Sequence, residues 1–316
     1  MNSTACISDV VITTEHRRFA EFCDACRRYS YIGLCYGTPG VGKTLSARHY
    51  ANWDQVEAYS PYKGASDAEL AAVIGSNTLF YTPKVANSPR QIEEYIQGWR
   101  NRLRTIPLEV LSREEEPLLE RARQEDAANK EAFFHQVIDT LYEPPSQRPA
   151  KPESKVFEIA KTYAQKRDDT PEPTTLLMID EADRLKTASL EQVRDIFDQG
   201  GIGVVLIGMP GLEKRLARYP QLYSRVGFVH EFRPLSADAV RNLFRRQWIP
   251  PGVALPQKGL NDEDVLAVII RITGGNFRLL HRLLTQIARL VEINALSRVT
   301  REVVDAARES LVIGTG

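Results

Sequence analysis

Neither sign of charge dominates this 316-residue sequence, in which 41 Lys and Arg stand against 41 Asp and Glu. Bulk charge is thereby removed as a reason to bind nucleic acid, and any such surface has to be a local patch. No apolar run approaches the roughly 20 residues that a bilayer-spanning helix needs. The start, Met1-Asn2-Ser3-Thr4-Ala5-Cys6, lacks the charged and apolar regions of a secretory signal. A cytoplasmic protein with no membrane partner is expected. Cysteine is scarce: Cys6, Cys23, Cys26 and Cys35. Cys23-x-x-Cys26 has zinc or redox spacing, but no second such pair and no paired histidines complete a tetrahedral site. Phe19, Phe22, Cys23 and Cys26 share one face of a helix predicted from Thr14 to Tyr29, and Cys35 falls in a buried strand. The thiols therefore read as small core residues.

What is present is a phosphate-binding pattern. Gly37-Thr38-Pro39-Gly40-Val41-Gly42-Lys43-Thr44 satisfies G-x-x-x-x-G-K-[ST] at every fixed position. Tyr31–Tyr36 before it reads as a short buried strand and Thr44–Tyr50 after it as a helix, the context this motif requires. Glycines let the backbone curl so that successive N–H groups face phosphate oxygens, and the helix N-terminus adds partial positive charge. Lys43 is expected to reach the β- and γ-phosphates, and Thr44 to ligate Mg²⁺. A second stretch, Thr174-Thr175-Leu176-Leu177-Met178-Ile179-Asp180-Glu181, is an apolar run suited to a central parallel strand and ends in two carboxylates. At the carboxyl end of a strand beside the phosphate loop, Asp180 can hold Mg²⁺ through water, and Glu181 can polarise the water that attacks the γ-phosphate.

Between these stretches the pattern predicts a helix over Asp67–Ile74, a strand over Thr78–Thr82, and a helix started by Ser88-Pro89. Ser112-Arg113-Glu114-Glu115 reads as the capping-box start of another, highly charged helix. Residues 143–152 carry too many prolines for regular structure, and Lys155–Lys166 resumes as helix. Residues 106–173 are therefore read as a charged, Pro-rich insertion. Strands at Ile202–Gly208 and Phe228–Phe232, with a helix over Ser189–Gln199, complete a core over 1–233. From 234 to 316 every segment reads as helix, with starts at Ser236, at Asn261–Asp264, at Asn276 and at Thr300. The expected fold is α/β: a P-loop parallel sheet with helices on both faces, followed by a small all-α lid. The apolar segment Ile7–Ile12 is placed near the adenine.

Leu176–Lys186, Val193–Ile196 and Gly203–Gly208 together resemble the transposon-encoded AAA+ regulators of the TniB/TnsC type, and Gly274-Gly275-Asn276-Phe277-Arg278 resembles the sensor-2 segment of that group and of the related MuB and origin-recognition ATPases. The resemblance implies an ATPase that uses ATP and Mg²⁺ and assembles as a ring or helical homo-oligomer. It implies sequence-independent binding of duplex DNA, and partnership with a transposase and a target-selection protein. By position it makes Lys43, Thr44, Asp180 and Glu181 the nucleotide residues and Arg278 the lid arginine on the nucleotide. Arg225 becomes the arginine finger, with Arg218 as its rival. The DNA-facing segment becomes Thr82–Arg90, with Lys84 and Arg90 on phosphates and Arg100, Arg102 and Arg104 as an extension.

At the end of the Gly203–Gly208 strand, where related ATPases carry a polar sensor-1 side chain, this sequence has Met209-Pro210. That supports a second reading, a nucleotide-gated scaffold that scarcely hydrolyses ATP; a third, a helicase-loader-like ATPase sharing the same core, also stays open.

Overall fold

The computed structural model describes residues 11–60, 64–256 and 258–311. Cys6 and most of the Ile7–Ile12 segment lie outside the described residues. The chain forms two compact units. One gathers Met1–Trp53, Thr78–Ile96 and Thr175–Gly316; the other gathers Asp54–Asn77 and Gln97–Thr174.

Among the described residues the first unit is built on five short strands: β1 (Ile32–Tyr36), β2 (Thr78–Tyr81), β3 (Leu176–Ile179), β4 (Gly203–Gly208) and β5 (Val226–Glu231). All pairings are parallel and the spatial order is β2-β3-β4-β1-β5. Every residue of β3 and β4 is buried. Because successive side chains point to opposite faces, unbroken burial means that the sheet is covered on both sides. Only β5, at an edge, alternates between half-buried and exposed positions. The expected parallel α/β sheet is thus present, and the order places β1 and β3, the strands that lead into residues 37–44 and into Asp180-Glu181, on either side of β4.

Helix α1 (Thr14–Tyr29) packs on this sheet through Phe19, Phe22, Cys23 and Cys26. It does so closely because two strand residues are glycines. A Cβ on Gly33 would meet the Cys26 sulfur at 2.3 Å, and one on Gly203 would lie 2.5 Å from the Cys26 carbonyl oxygen. Cys23, Cys26 and Cys35 are buried free thiols, and burial pushes the Cys26 thiol up to about 12. Among the described residues no group of three His, Cys, Asp or Glu side chains is placed to hold a metal ion.

Helices α2 (Lys43–Tyr50), α3 (Trp53–Ala58) and α4 (Asp67–Val73) follow β1, and Ser66 and Glu69 form a reciprocal capping box on α4. The sequence expectation fails at Ser112. No helix begins there: α5 runs without interruption from Pro89 to Asp139, through Pro107 and Pro117. An interior proline costs a helix about 3 kcal/mol, and here side-chain anchors offset it. Leu103 and Ile106 are buried, Arg113 pairs with Glu109 one turn away and with Asp67, and buried Glu115 pairs with Arg167. Residues 143–152 hold only a 3₁₀ turn at Pro145–Gln147 before α6 (Lys155–Asp168).

After β3 come a 3₁₀ turn (Ala182–Arg184), α7 (Thr187–Asp198), α8 (Leu212–Leu216) and α9 (Pro220–Tyr223). The C-terminal helices α10 (Ala237–Arg245), α11 (Glu263–Thr273), α12 (Phe277–Ile293) and α13 (Arg301–Glu309) enclose their own apolar cluster, centred on Val240, Ile269, Leu280, Leu283 and Ile287. Ser236 and Asn276 cap α10 and α12 through their side chains, as their types suggest. Val11 packs against this cluster, and Val11 and Ile12 line a small cavity with Leu243 and Arg246 of α10 and its end. No helix among the described residues is long and apolar enough to cross a membrane.

The tight seat of α1 gives a direct test. Gly203→Ala should lower thermal stability by about 1–3 kcal/mol through overpacking against the Cys26 backbone, seen as a lower unfolding midpoint. An unchanged midpoint would show that α1 lifts from the sheet at no cost.

Candidate nucleotide site

The loop from Gly37 to Gly42 joins the end of β1 to the start of α2. Gly40 (φ 84°) and Gly42 (φ 108°) occupy the left-handed region, and a Cβ on Gly37 would lie 2.2 Å from the Phe232 carbonyl oxygen. No side chain caps α2, whose N-cap is Gly42. Its first N–H groups are therefore left for an anion. Lys43 is only 9% exposed, and its Nζ donates to the carbonyls of Gly37 at 2.5 Å and Thr38 at 3.0 Å. Burial lowers the Lys43 pKa, while nearby negative groups, Asp180 and Asp183 among them, oppose that shift.

The two motifs meet through one hydrogen bond: the Thr44 hydroxyl donates to Asp180 Oδ2 at 2.7 Å. Asp180 is 3% exposed, and its N–H donates to the Tyr81 carbonyl at 2.8 Å, fixing the end of β3 against β2. Burial raises its pKa, against the opposing effect of the bonds from Thr44 and from the Glu181 N–H. Glu181 sits at φ 48°, ψ 42°. A non-glycine residue held there costs on the order of 1–3 kcal/mol. The turn it makes brings Asp183 back to the same cavity, where Oδ2 accepts the Met209 N–H at 2.7 Å. The Glu181 carboxylate is paired with Arg184, which also donates to the Pro83 carbonyl at 3.1 Å.

The C-terminal helices complete the site. Asn276 accepts the N–H groups of Arg278 and Leu279 as the α12 cap, and its side-chain amide donates to the Pro39 carbonyl at 2.8 Å. The Arg278 N–H reaches the Gly40 carbonyl at 3.0 Å. Together these elements line a cavity of about 370 Å³ that includes Pro39, Gly40, Gly42, Lys43, Thr44, Asp180, Glu181, Asp183, Met209 and Arg278. A hydroxyl beside a carboxylate is a hard-oxygen donor set that suits Mg²⁺, and the cation of Lys43 and the free N–H groups of α2 suit phosphate. The residues present fit both groups. A roomier cavity of about 750 Å³ in the other unit, lined by Phe133, Phe134 and Pro152, also has a hydroxyl on a carboxylate, Ser154 to Asp126 at 2.7 Å, but there the helix N–H groups are already taken by these two side chains.

Two expected residues lie away from the cavity lining. Arg225 is held by Asp198 through Nε–Oδ1 at 2.5 Å and Nη2–Oδ2 at 2.7 Å. Arg218 is exposed. In the 82–90 segment Lys84 is exposed, and Arg90 is exposed with an ion pair to Glu94 one turn on. The segment is fastened by Asn87, which donates to the carbonyls of Lys84 and Arg184 and accepts from Ser189. Of the arginines further along α5, Arg100 is paired with Glu172, and Arg102 donates to the Glu57 and Tyr59 carbonyls and lies over the Trp99 ring. Only Arg104 of the three is exposed.

Sequence reasoning did not assign roles to Asn276, Asp183 or Arg184. For Asn276 the signal was there, since Asn after Gly-Gly marks a helix start; its bond to Pro39, 237 positions away, has no local signature.

Residues 26–216 match the family model described as AAA domain. Over 305 residues, 96% of either chain, the sequence is 38% identical to a Staphylococcus aureus protein described as a potential ATP-binding protein. Among solved structures, a mutant of Thermotoga maritima RuvB aligns with a TM-score of 0.50 at 14% identity, covering 97% of this chain and 73% of that one. The Aeropyrum pernix ORC1 protein in complex with DNA aligns with a TM-score of 0.48 at 20% identity, and there the chain covers 95% of its own length and 66%, just under two thirds, of the other. At such identities the likeness concerns the fold alone.

Asn276→Ala should weaken nucleotide affinity several-fold in a fluorescent-nucleotide titration while costing about 1 kcal/mol of stability as a lost cap. Unaltered affinity would show that the bond to Pro39 does not organise the loop.

Proposed function

The chain belongs to the AAA domain family, and from that premise we propose that it is an ATP-hydrolysing, DNA-binding oligomer that regulates transposition by selecting target DNA and recruiting a transposase. The observation that carries the ATPase part is the junction of Thr44 with Asp180 inside a cavity that also holds Lys43, Glu181 and Arg278. The transposition part is supported by the resemblance of 176–186, 193–196 and 203–208 to the TniB/TnsC regulators.

In this reading Lys43 and the N–H groups of the loop bind the phosphates, and Arg278 closes on the nucleotide from the helices 234–316, acting as a lid. Thr44 and Asp180 would hold Mg²⁺, which when bound neutralises charge on the phosphate oxygens. Glu181 takes the proton of the attacking water. Arg184 engages Oε2 of that carboxylate, and among the described residues Oε1 has no partner and can accept. Arg225, once released from Asp198, would act in a neighbouring subunit's site.

With no net charge to draw on, DNA affinity rests on repetition. Each subunit presents Lys84 and Arg90 to the backbone, and an oligomer multiplies the contact. Arg100 and Arg102 would extend this surface only by exchanging their partners, Glu172 and the Tyr59 carbonyl.

A scaffold that binds ATP but hardly hydrolyses it is the second reading. It is favoured by the apolar Met209 at the end of β4 and by the Glu181–Arg184 pair. A helicase-loader-like ATPase would share the core without the transposase partner; pull-down of a transposase by the ATP-bound protein on DNA separates the two.

Lys43→Ala should abolish ATP binding in a nucleotide titration. Glu181→Gln should retain binding and lower turnover roughly 10²-fold or more, with the DNA-bound assembly persisting longer. Absent turnover in the parent protein and no change in Glu181→Gln would favour the scaffold. Replacing Lys84 and Arg90 together by Ala should weaken binding equally on unrelated duplexes and flatten the dependence on salt, because released counterions drive such contacts. ATP binding should be untouched. Unchanged affinity and salt slope would place the DNA path elsewhere.

A further inference from the structure

Asp183 is a carboxylate in the nucleotide cavity for which the reaction as described has no use. Its surroundings hold it in place from three directions. The left-handed turn at Glu181 starts the 3₁₀ segment that carries it. Arg215 of α8 clamps that segment by donating to the carbonyls of Asp183 and Leu185. Asp183 Oδ2 then accepts the Met209 N–H at 2.7 Å, at the end of β4.

The strand end is shaped to receive it. A Cβ on Gly208 would lie 2.4 Å from Asp183 Oδ2 and 2.9 Å from Leu212 Cδ2. The Asp183 carboxylate and the Leu212 side chain thus fill the volume that a side chain at 208 would need. Met209, next along, has no polar atom in its side chain that accepts strongly or bears charge. The polar group at the end of β4 is thus delivered from a different segment of the chain. Among the described residues no donor is bonded to the other oxygen, Oδ1, so the carboxylate keeps an acceptor in the cavity that Glu181 also lines.

We propose that Asp183 is a further catalytic residue of ATP hydrolysis, accepting one hydrogen of the attacking water while Glu181 accepts the other. The inference rests on the hydrolysis reading above. The water oxygen forms a bond to the γ-phosphorus, and the bond from that phosphorus to the β–γ bridging oxygen breaks, its electron pair leaving with ADP. One water proton passes to Glu181 and then to solvent. The other stays on the new phosphate, hydrogen-bonded to Asp183 until release. Two fixed acceptors orient the oxygen lone pair, which a single carboxylate on a rotatable side chain does not. The sensor-1 position therefore does not lack a polar group; its group comes from residue 183.

Asp183→Asn separates this role from a purely structural one. The amide oxygen can still accept the Met209 N–H, while the NH₂ group then faces the water with a donor in place of an acceptor. On the full chain with Mg²⁺ and duplex DNA, turnover should fall by about tenfold or more. Affinity for a fluorescent ATP analogue should stay within about twofold, and the unfolding midpoint should not move. Trapping of ADP with aluminium fluoride, a mimic of the transition state, should weaken by a factor comparable to the loss of turnover, because the lost contact belongs to that state. Gly208→Ala gives a second probe, displacing the carboxylate with its charge intact, and should show the same split between the two analogues. If the parent protein turns ATP over and Glu181→Gln slows it, but Asp183→Asn matches the parent in turnover and trapping, the role of Asp183 is refuted and the ATPase reading stands. Equal weakening of both analogues would assign Asp183 to structure alone. If the parent shows no turnover, both readings fall together.

Discussion

The hydrogen bond between Thr44 and Asp180 spans 136 positions of sequence, and the site depends on it. Neither residue is useful to a bound nucleotide alone: a threonine at a helix start and an aspartate at a strand end are common. Brought within 2.7 Å, they form one oxygen-rich corner in which burial raises the Asp180 pKa from its ordinary value, against the lowering effect of the Thr44 bond. What brings them together is strand order. With β4 between β1 and β3, the phosphate loop and the acidic pair emerge at the same edge of a parallel sheet, where α/β folds place their ligands.

A second constraint acts from the C-terminal helices. Asn276 caps α12 and reaches the Pro39 carbonyl, the Arg278 N–H reaches Gly40, and a Cβ on Gly42 would touch the Phe277 ring at 3.5 Å. The glycines of the loop thus serve two ends. They permit the left-handed backbone, and they leave room for α12 to press against it. An alanine at Gly40 would meet Asn276 Oδ1 at 2.6 Å besides being strained. The loop is held by helices more than 200 residues downstream.

Around the carboxylates the same economy of contacts recurs. Arg184 pairs with Glu181 and donates to the Pro83 carbonyl, and Asn87 joins the carbonyls of Lys84 and Arg184. The exposed segment that carries Lys84 and the turn that carries Glu181 are consequently tied together by hydrogen bonds. Arg215 fixes the far side of that turn.

By itself the sequence determined the nature of the fold and the glycine-rich turn over 37–44 between strand and helix, because both are written locally. Gly40, Gly42 and Lys43 follow from a fixed spacing, the strands from apolar runs, and the helix starts at Ser236 and Asn276 from single capping side chains. It misjudged residues 112–115, where a capping-box pattern lies inside α5, because that stretch is joined by burial of Leu103 and Ile106 and by pairs to Asp67 and Arg167 on other helices, none of which a local window shows. Only the tertiary structure decided which polar groups share the cavity. Asp183 reaches the end of β4 through a left-handed turn at a glutamate, and Arg225 turns to Asp198; neither is encoded by spacing. A side chain's neighbours across a sheet are set by strand order and register, and those depend on the packing of the whole chain rather than on any window of it.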